Sequence, residues 1–373
     1  MANLRFDFPA NATGAAPLHF SRPRLRLVAH RPEAVPAVLA RADTLARAGE
    51  WVAGFVTYEA GAAFDPAFRF RPRSSLPLAW FGVFDAPVAV DEETRRGAVG
   101  CDDWQPGVER GRYDADIGRI LDHIRAGDVY QINHTIRLHG RFDGDPRDLY
   151  AQLRAGQPDG YCALFDLGRH RILSLSPELF FRRDGDRLTS KPMKGTLARG
   201  STPEQDAQQA EALAASEKNR AENLMIVDLI RNDMSRVARP HSVAVPELFS
   251  VETYPTVHQM TSTVSAELRP DADLADIFAA LFPCGSITGA PKIKAMEIIA
   301  GLEAEPRGIY CGAIGLLKPG GDAIFNVAIR TLALDGMTGR AEYGVGGGIT
   351  ADSVAHDEYE EMRAKARILR CAA

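Results

Sequence analysis

Between Tyr113 and Ala126 the apolar residues Ile117, Ile120, Leu121 and Ile124 fall at i, i+3, i+4 and i+7, which places them on one face of a helix. A second helix is predicted over Pro36–Ala48. Elsewhere apolar residues come in short runs punctuated by Gly and Pro, the pattern of strands. Such runs are Trp51–Tyr58, Ala79–Phe84, Val129–Leu138, Tyr161–Asp166, Ile172–Leu175 and Leu179–Arg183. A long polar helix is predicted over Thr202–Val237, and a last one from Ser353 to Arg370. Strands gather in runs between helices without a regular strand–helix–strand rhythm, so the expected class is α+β with antiparallel sheets. From Asp91 to Arg112 the chain turns polar, which marks a boundary or a long surface loop. The expected division is an N-terminal portion, residues 1–105, and a larger portion, 106–373, packed as one compact unit.

Composition narrows the class. The chain has 373 residues, 45% hydrophobic and 25% charged, with a formal net charge of -5, as in an ordinary globular enzyme. Mild acidity and the lack of a basic stripe argue against nucleic-acid binding. No apolar run approaches the roughly 18 residues of a membrane helix, so no membrane association is expected. Met1–Pro9 includes Arg5 and Asp7 and no apolar core of a signal peptide. Cys101, Cys162, Cys284, Cys311 and Cys371 are scattered and form no CxxC pair, which points to a reducing, cytoplasmic setting.

Several segments carry candidate chemistry. Pro192-Met193-Lys194-Gly195-Thr196 sets a lysine among turn-forming residues. A turn lysine is ordinarily solvated. It becomes a nucleophile only when neutral, so its pKa must be lowered by burial or by neighbouring cations. Glu222 and Asp228 lie in an apolar helical stretch that predicts burial, and a buried carboxylate needs a partner. Lys218, Arg220 or Arg231 would serve, and so would a divalent cation shared with Glu361. In the last helix Glu358 and Glu361 share a face and Lys365 follows one turn on. That pattern fits a solvated ion pair as well as one side of a Mg²⁺ site, which commonly uses one or two carboxylates plus water.

Gly344-Val345-Gly346-Gly347-Gly348-Ile349-Thr350 runs toward the last helix, with Asp352 and Ser353 as expected caps. Glycines before a helix can aim backbone N–H groups at an anion, though a tight turn explains them equally. Ile349 in the sixth position excludes a dinucleotide fingerprint, and Gly285–Lys292 lacks the ending of a P-loop. Arg330, after the strand-like Ala323–Ile329, and Tyr310 could join the same anion or simply end strands.

Taken together, PMKGT (192–196), AENLMIVDLIRND (221–233), GSITGAPK (285–292), RGIYCGAIG (307–315), FNVAIRT (325–331) and GGGITADSVAHDEYEE (346–361) resemble the chorismate-utilising enzymes. The resemblance spans about residues 110–373 in the family's motif order. It implies large antiparallel sheets forming a sandwich core flanked by helices. Gln131 stands where the water-adding members carry a lysine base, and glutamine cannot act as a base, so isochorismate and salicylate chemistry are disfavoured. Lys194 stands where anthranilate synthases typically carry alanine, as in the aminodeoxychorismate synthases. The N-terminal Thr57-Tyr58-Glu59-Ala60-Gly61 is also similar to short forms of that branch.

By resemblance, the substrate is chorismate and the cofactor Mg²⁺, held by Glu222, Glu361 and Glu358. Lys194 is the implied nucleophile, Glu178 the general acid, and His258 lies near the leaving group, where a satisfied core histidine is the alternative. Gly195, Thr196, Ser286, Thr288, Tyr310, Arg330, Gly347, Gly348 and Lys365 are the implied substrate contacts. No glutaminase-like cysteine segment is present, so ammonia is expected from a separate glutamine amidotransferase subunit. No appended lyase is expected, and the missing Leu-Leu-Glu-Ser string argues against feedback by tryptophan. The product would feed 4-aminobenzoate and folate synthesis. An anthranilate-forming outcome and a non-catalytic chorismate-binding subunit are the alternatives.

Overall fold

Strand Tyr161–Asp166 shows why its apolar run is continuous. Cys162 and Leu164 pack toward helix Pro146–Ala155, while Ala163 and Phe165 point the other way into a second apolar layer. Trp51–Val56 repeats the arrangement, with Val52 and Val56 toward helix Val35–Arg47 and Ala53 and Phe55 toward the same inner layer. Side chains alternate across a strand, so strands buried on both faces lose the polar half of the pattern.

The computed structural model describes residues 2–14, 17–71, 75–88, 101–255 and 257–372. Among these, two antiparallel sheets of 9 and 10 strands face each other. The first runs from Gly289–Ala290 through Gln131–Phe142, Arg340–Ile349, Thr331–Asp335, His170–Ser176, Tyr161–Asp166 and Asn3–Asp7 to Leu18–Ser21, and Cys101–Pro106 also pairs with Gln131–Phe142. The second runs from Met193–Ala198 through Val257–Glu267, Arg187–Lys191, Leu179–Asp184, Ala323–Val327, Ala313–Leu317, Trp51–Val56 and Ala79–Phe84 to Leu25–Ala29, with Ala244–Thr253 also on Val257–Glu267. Segments from both ends of the chain thus share each sheet.

Aromatic residues from the two sheets meet between them: Phe55 and Phe165 lie 5.9 Å apart, and Trp80 and Phe165 6.4 Å apart. Fully burying one such side chain contributes roughly 1.5–3 kcal/mol, against about 0–1 kcal/mol for a surface ion pair, so the apolar seam holds the sheets together. Helices cover both outer faces, Arg110–Arg125, Pro146–Ala155 and Lys292–Leu302 on one, Val35–Arg47, Leu274–Leu281 and Glu217–Ser235 on the other. The expected α+β sandwich is the observed fold.

Local expectations needed correction. The long helix over 202–237 is two helices, Pro203–Ala215 and Glu217–Ser235, parted at Ser216, whose backbone is extended and whose hydroxyl accepts from Asn219 N–H as the second helix's cap. Asp228 is exposed and paired with Arg231 at 2.7 Å, not buried. The glycine run belongs to strand Arg340–Ile349 and not to a helix entrance. The last helix, Ala355–Lys365, starts after Val354 without a side-chain cap, and a 3₁₀ stretch, Ala366–Ala372, follows it. Of the polar stretch from Asp91, residues 91–100 lie outside the described residues, Cys101–Pro106 form a strand, and helix Arg110–Arg125 begins after a short link.

Candidate active site

Lys194 lies in strand Met193–Ala198 and not in an open turn. Gly348, in the glycine strand of the other sheet, comes so close that a Cβ there would lie 2.9 Å from Lys194 Nζ and 2.7 Å from Gln131 Nε2. Gln131 is fully buried, and neither of its amide atoms has a hydrogen-bond partner among the described residues. An amine and an unsatisfied amide therefore share a space that exists because Gly348 has no side chain.

Burial pushes the Lys194 amine below the usual lysine range. Glu222 pulls it back most strongly, Lys365 pushes it down further, and Glu178 and Glu361 again favour the charged form. Glu178 precedes strand Leu179–Asp184 and is 3% exposed. Its N–H donates to Ser176 Oγ at 3.1 Å and its carbonyl accepts from Val327 N–H at 3.0 Å, which fix the backbone. Burial pushes its carboxyl up to about 7, with the Ser286 hydroxyl and Lys194 acting in opposition. A carboxyl at that value keeps a proton to donate near neutral pH. Its Oε1 has no partner among the described residues, as befits a group that awaits a ligand.

The acidic side of the site comes from helix Ala355–Lys365 against the glycine strand. A Cβ on Gly347 would stand 3.5 Å from Glu358 Oε2, 3.5 Å from Lys365 Nζ and 3.8 Å from Glu361 Oε1. Lys365 pairs with Glu361 at 2.7 Å and donates to the Gly346 carbonyl at 3.0 Å. Partial burial raises the Glu361 carboxyl, but Lys365 outweighs it and holds the group below the usual range. Glu358 accepts from the Ser353 hydroxyl at 2.6 Å, and burial pushes it up. Glu222, from helix Glu217–Ser235, completes the ring of charge around Lys194.

These hard oxygen donors suit Mg²⁺, which needs only one or two carboxylates and takes the remaining oxygens from water and ligand. Among the described residues, the trio whose ligand atoms all lie within 4.8 Å of one another is a different one, His139, Glu305 and Glu342. There Arg340 donates to His139 Nδ1 at 3.1 Å and Glu305 lies 2.9 Å from His139 Nε2, so an internal cation already serves the cluster.

Other expected site residues stand apart or are already engaged. His258 Nε2 bonds Asp206 at 2.9 Å and Nδ1 bonds the Thr253 hydroxyl at 3.0 Å, so both ring nitrogens tie the strand to its neighbours. This is the satisfied core histidine. Thr288 turns its hydroxyl to the carbonyls of Cys284 and Gly285. Ser286, by contrast, reaches the Glu178 carboxyl. Thr196 is exposed and donates to Gln259 at 2.8 Å. Tyr310 lies flat on Gly344, with the Arg137 guanidinium 5.1 Å above its ring. Arg330 donates to the Gln157 side chain, and its φ is +49°.

The sequence reading missed Gln259, which grips the lysine segment, and Asn219, which packs on Gly195. It also missed Arg307, whose buried guanidinium bonds Glu303, the Ile287 carbonyl and the Asn133 carbonyl. Arg307 thereby ties the Gly285–Ile287 turn to the strand that bears Gln131. The free cysteines Cys162, Cys284 and Cys311 are buried, and Cys101 and Cys371 have no described side chains.

The two-sheet sandwich thus brings a half-buried lysine, a carboxyl whose burial favours its protonated form and a rim of carboxylates into one site. The sequence profile of the chorismate binding enzymes matches residues 94–370, and the chain belongs to that family. It is 44% identical over 269 residues to aminodeoxychorismate synthase component 1 of Escherichia coli (strain K12), covering 72% of this chain and 59% of the relative. It is 42% identical over 296 residues to anthranilate synthase component 1 of Haloferax volcanii, covering 76% of this chain and 56% of the relative. The chain thus spans little more than half the length of these relatives. The crystal structure of anthranilate synthase component I from Streptococcus pneumoniae TIGR4 superposes with a TM-score of 0.76 at 29% identity, covering 86% of this chain and 80% of that one. The menaquinone-specific isochorismate synthase of Escherichia coli shares the fold, with a TM-score of 0.77 at 19% identity over 100% of this chain and 88% of that one.

Proposed function

We propose that this protein aminates chorismate at C4, giving 4-amino-4-deoxychorismate for 4-aminobenzoate and folate synthesis. The observation that carries the reading is the half-buried Lys194, whose amine lies against the side-chain-free Gly348 and interacts with Glu178, with Gln131 and not a base alongside. Relatives named for aminodeoxychorismate synthesis support it.

Neutral Lys194 attacks C2 of chorismate, the ring double bonds shift, and the C4 hydroxyl leaves with the proton of Glu178 as water. Ammonia then adds at C4, the double bonds shift back, the Lys194 nitrogen departs from C2 as the free amine, and a proton shed by the added nitrogen returns to Glu178. Two displacements through one covalent intermediate place nitrogen at C4, where direct addition at C2 leads toward anthranilate. Mg²⁺, held by Glu222 and Glu361 with Glu358 nearby, would supply Lewis-acid charge for the ring carboxylate. Lys365 and the Gly347–Gly348 amides offer positive charge and N–H donors to substrate carboxylates; Arg330, just before strand Thr331–Asp335, and Tyr310, whose ring packs on Gly344, would add a guanidinium and a phenol.

Ammonia comes from a separate glutamine amidotransferase subunit, a reading supported by the component 1 naming of the relatives. The dispersed free cysteines favour a cytoplasmic setting. Among the described residues no helix is long and apolar enough to cross a membrane.

The test is product identity. The chain is incubated with chorismate, Mg²⁺ and ammonium, and the product is identified by mass and ultraviolet spectrum with and without an aminodeoxychorismate lyase. Conversion to 4-aminobenzoate only with the lyase supports the proposal; anthranilate as the main product overturns it.

A further inference from the structure

We infer that Gln259 is a positioning residue that pins a β-bulge and so aims Lys194 into the site, an inference that rests on Lys194 being the nucleophile. In the pairing of Met193–Ala198 with Val257–Glu267, Met193 lies opposite Thr261 and Thr196 opposite Gln259. Lys194 and Gly195 on one strand therefore face Met260 alone on the other, the two-against-one count of a bulge. Gly195 sits at φ +83°, where a side chain would be strained, and a Cβ there would meet the Asn219 side chain at 2.8 Å. In an unbroken ladder Lys194 would sit opposite Met260 and share the face of that fully buried side chain. The bulge alters that aim.

Gln259 spends both of its polar atoms on this irregularity. Its Nε2 donates to the Gly195 carbonyl at 2.7 Å, and its Oε1 accepts from Thr196 Oγ1 at 2.8 Å. The residue is 6% exposed, so water does not readily replace either bond. The carbonyl it holds is that of the residue after the lysine, where a displaced peptide swings Lys194 directly. A misplacement of about 1 Å costs on the order of 100-fold in rate when a nucleophile must meet one carbon.

The experiment compares wild type, Gln259→Leu and Gln259→Glu. Each is mixed with chorismate and Mg²⁺ without ammonia, quenched at intervals, and read by mass for the chorismate-derived adduct on the Lys194 peptide. Steady-state kcat and KM for chorismate and the thermal midpoint are measured beside it. Gln259→Leu should slow adduct formation and kcat by about tenfold or more, with KM changed less than about threefold. Gln259→Glu keeps the acceptor for Thr196 but cannot donate to Gly195, and should show most of the same loss. Adduct formation at the wild-type rate in Gln259→Leu overturns the inference, even with a lowered thermal midpoint, because the role is then structural only. If Gln259→Leu does not fold, Gln259→Glu decides by the same criterion. No adduct in wild type would instead refute Lys194 as nucleophile and remove the premise.

Discussion

Gly348 and Lys194 are in such proximity that a single methyl group on the glycine would stand 2.9 Å from the lysine Nζ. Gly348 is extended strand backbone paired opposite Asn133, so alanine is conformationally acceptable there and its effect is steric. Gly348→Ala should keep the fold and its thermal midpoint within a few degrees, while turnover falls by about 100-fold through displacement of Lys194 and Gln131. Steady-state kinetics beside a melting curve check this, and unaltered kcat would mean the space beside Gly348 is not used.

Removing the amine tests the covalent step itself. Lys194→Ala should lose at least about 1,000-fold in aminodeoxychorismate formation while chorismate still binds, since the other charged groups of the site remain. Lys194→Arg should not rescue, because a guanidinium stays protonated at any working pH. Binding is measured by calorimetry and turnover by coupled assay; wild-type turnover in Lys194→Ala would reduce the lysine to a spectator.

The proposed mechanism needs Lys194 neutral and Glu178 protonated, so kcat/KM against pH should be bell-shaped. Lysine protonation suppresses the acid side and Glu178 ionisation the alkaline side. One break should fall near pH 7, where burial has set the Glu178 carboxyl. Glu178→Gln should lower activity by about 100-fold and abolish that break in whatever activity remains.

Metal dependence should separate the three carboxylates. Glu358 already accepts the Ser353 hydroxyl, whereas Glu222 and Glu361, the proposed direct metal ligands, also act on Lys194. Glu222→Gln and Glu361→Gln should raise the Mg²⁺ concentration for half-activity by about tenfold or more, and Glu358→Gln by less. Titration of each variant with Mg²⁺ decides the order.

Stability should carry the imprint of Glu59. Its buried carboxylate accepts from the Arg307 N–H at 2.7 Å and the Gly308 N–H at 3.1 Å, yet burial still pushes it up to about 7. Its folded value lies above the unfolded one near 4.5, so the folded state holds the extra proton between those values. Stability therefore falls as pH rises through 4.5 to 7, by on the order of 3 kcal/mol for this group. Glu178, also raised to about 7, acts in the same window. Glu59→Gln should flatten part of this slope in denaturant melts taken from pH 4.5 to 7.5, while an unchanged slope would show that Glu59 stays ionised throughout.

Strands Ala79–Phe84 and Tyr161–Asp166 were legible residue for residue in the sequence, because a run buried on both faces is a local signal. Motif order and residue type likewise identified the family, and the presence of Lys194 and Gln131 is a property of the sequence alone. The break at Ser216 was masked by helix-forming neighbours on both sides, and the glycine run read as a turn because its partner strand, Gln131–Phe142, lies some 200 residues earlier. The sequence could not show that the Lys194 amine is set against the opposite sheet, since that depends on Gly348 and Gln131 arriving from there. Nor could it show that His258 is occupied, because Asp206 comes from a separate helix. Residue type sets which protons and electrons a side chain can offer, but only packing sets the local dielectric and the neighbouring charge. Tertiary structure therefore decided which lysine has its amine pushed below the usual range and which glutamates, Glu59 and Glu178, are raised to about 7.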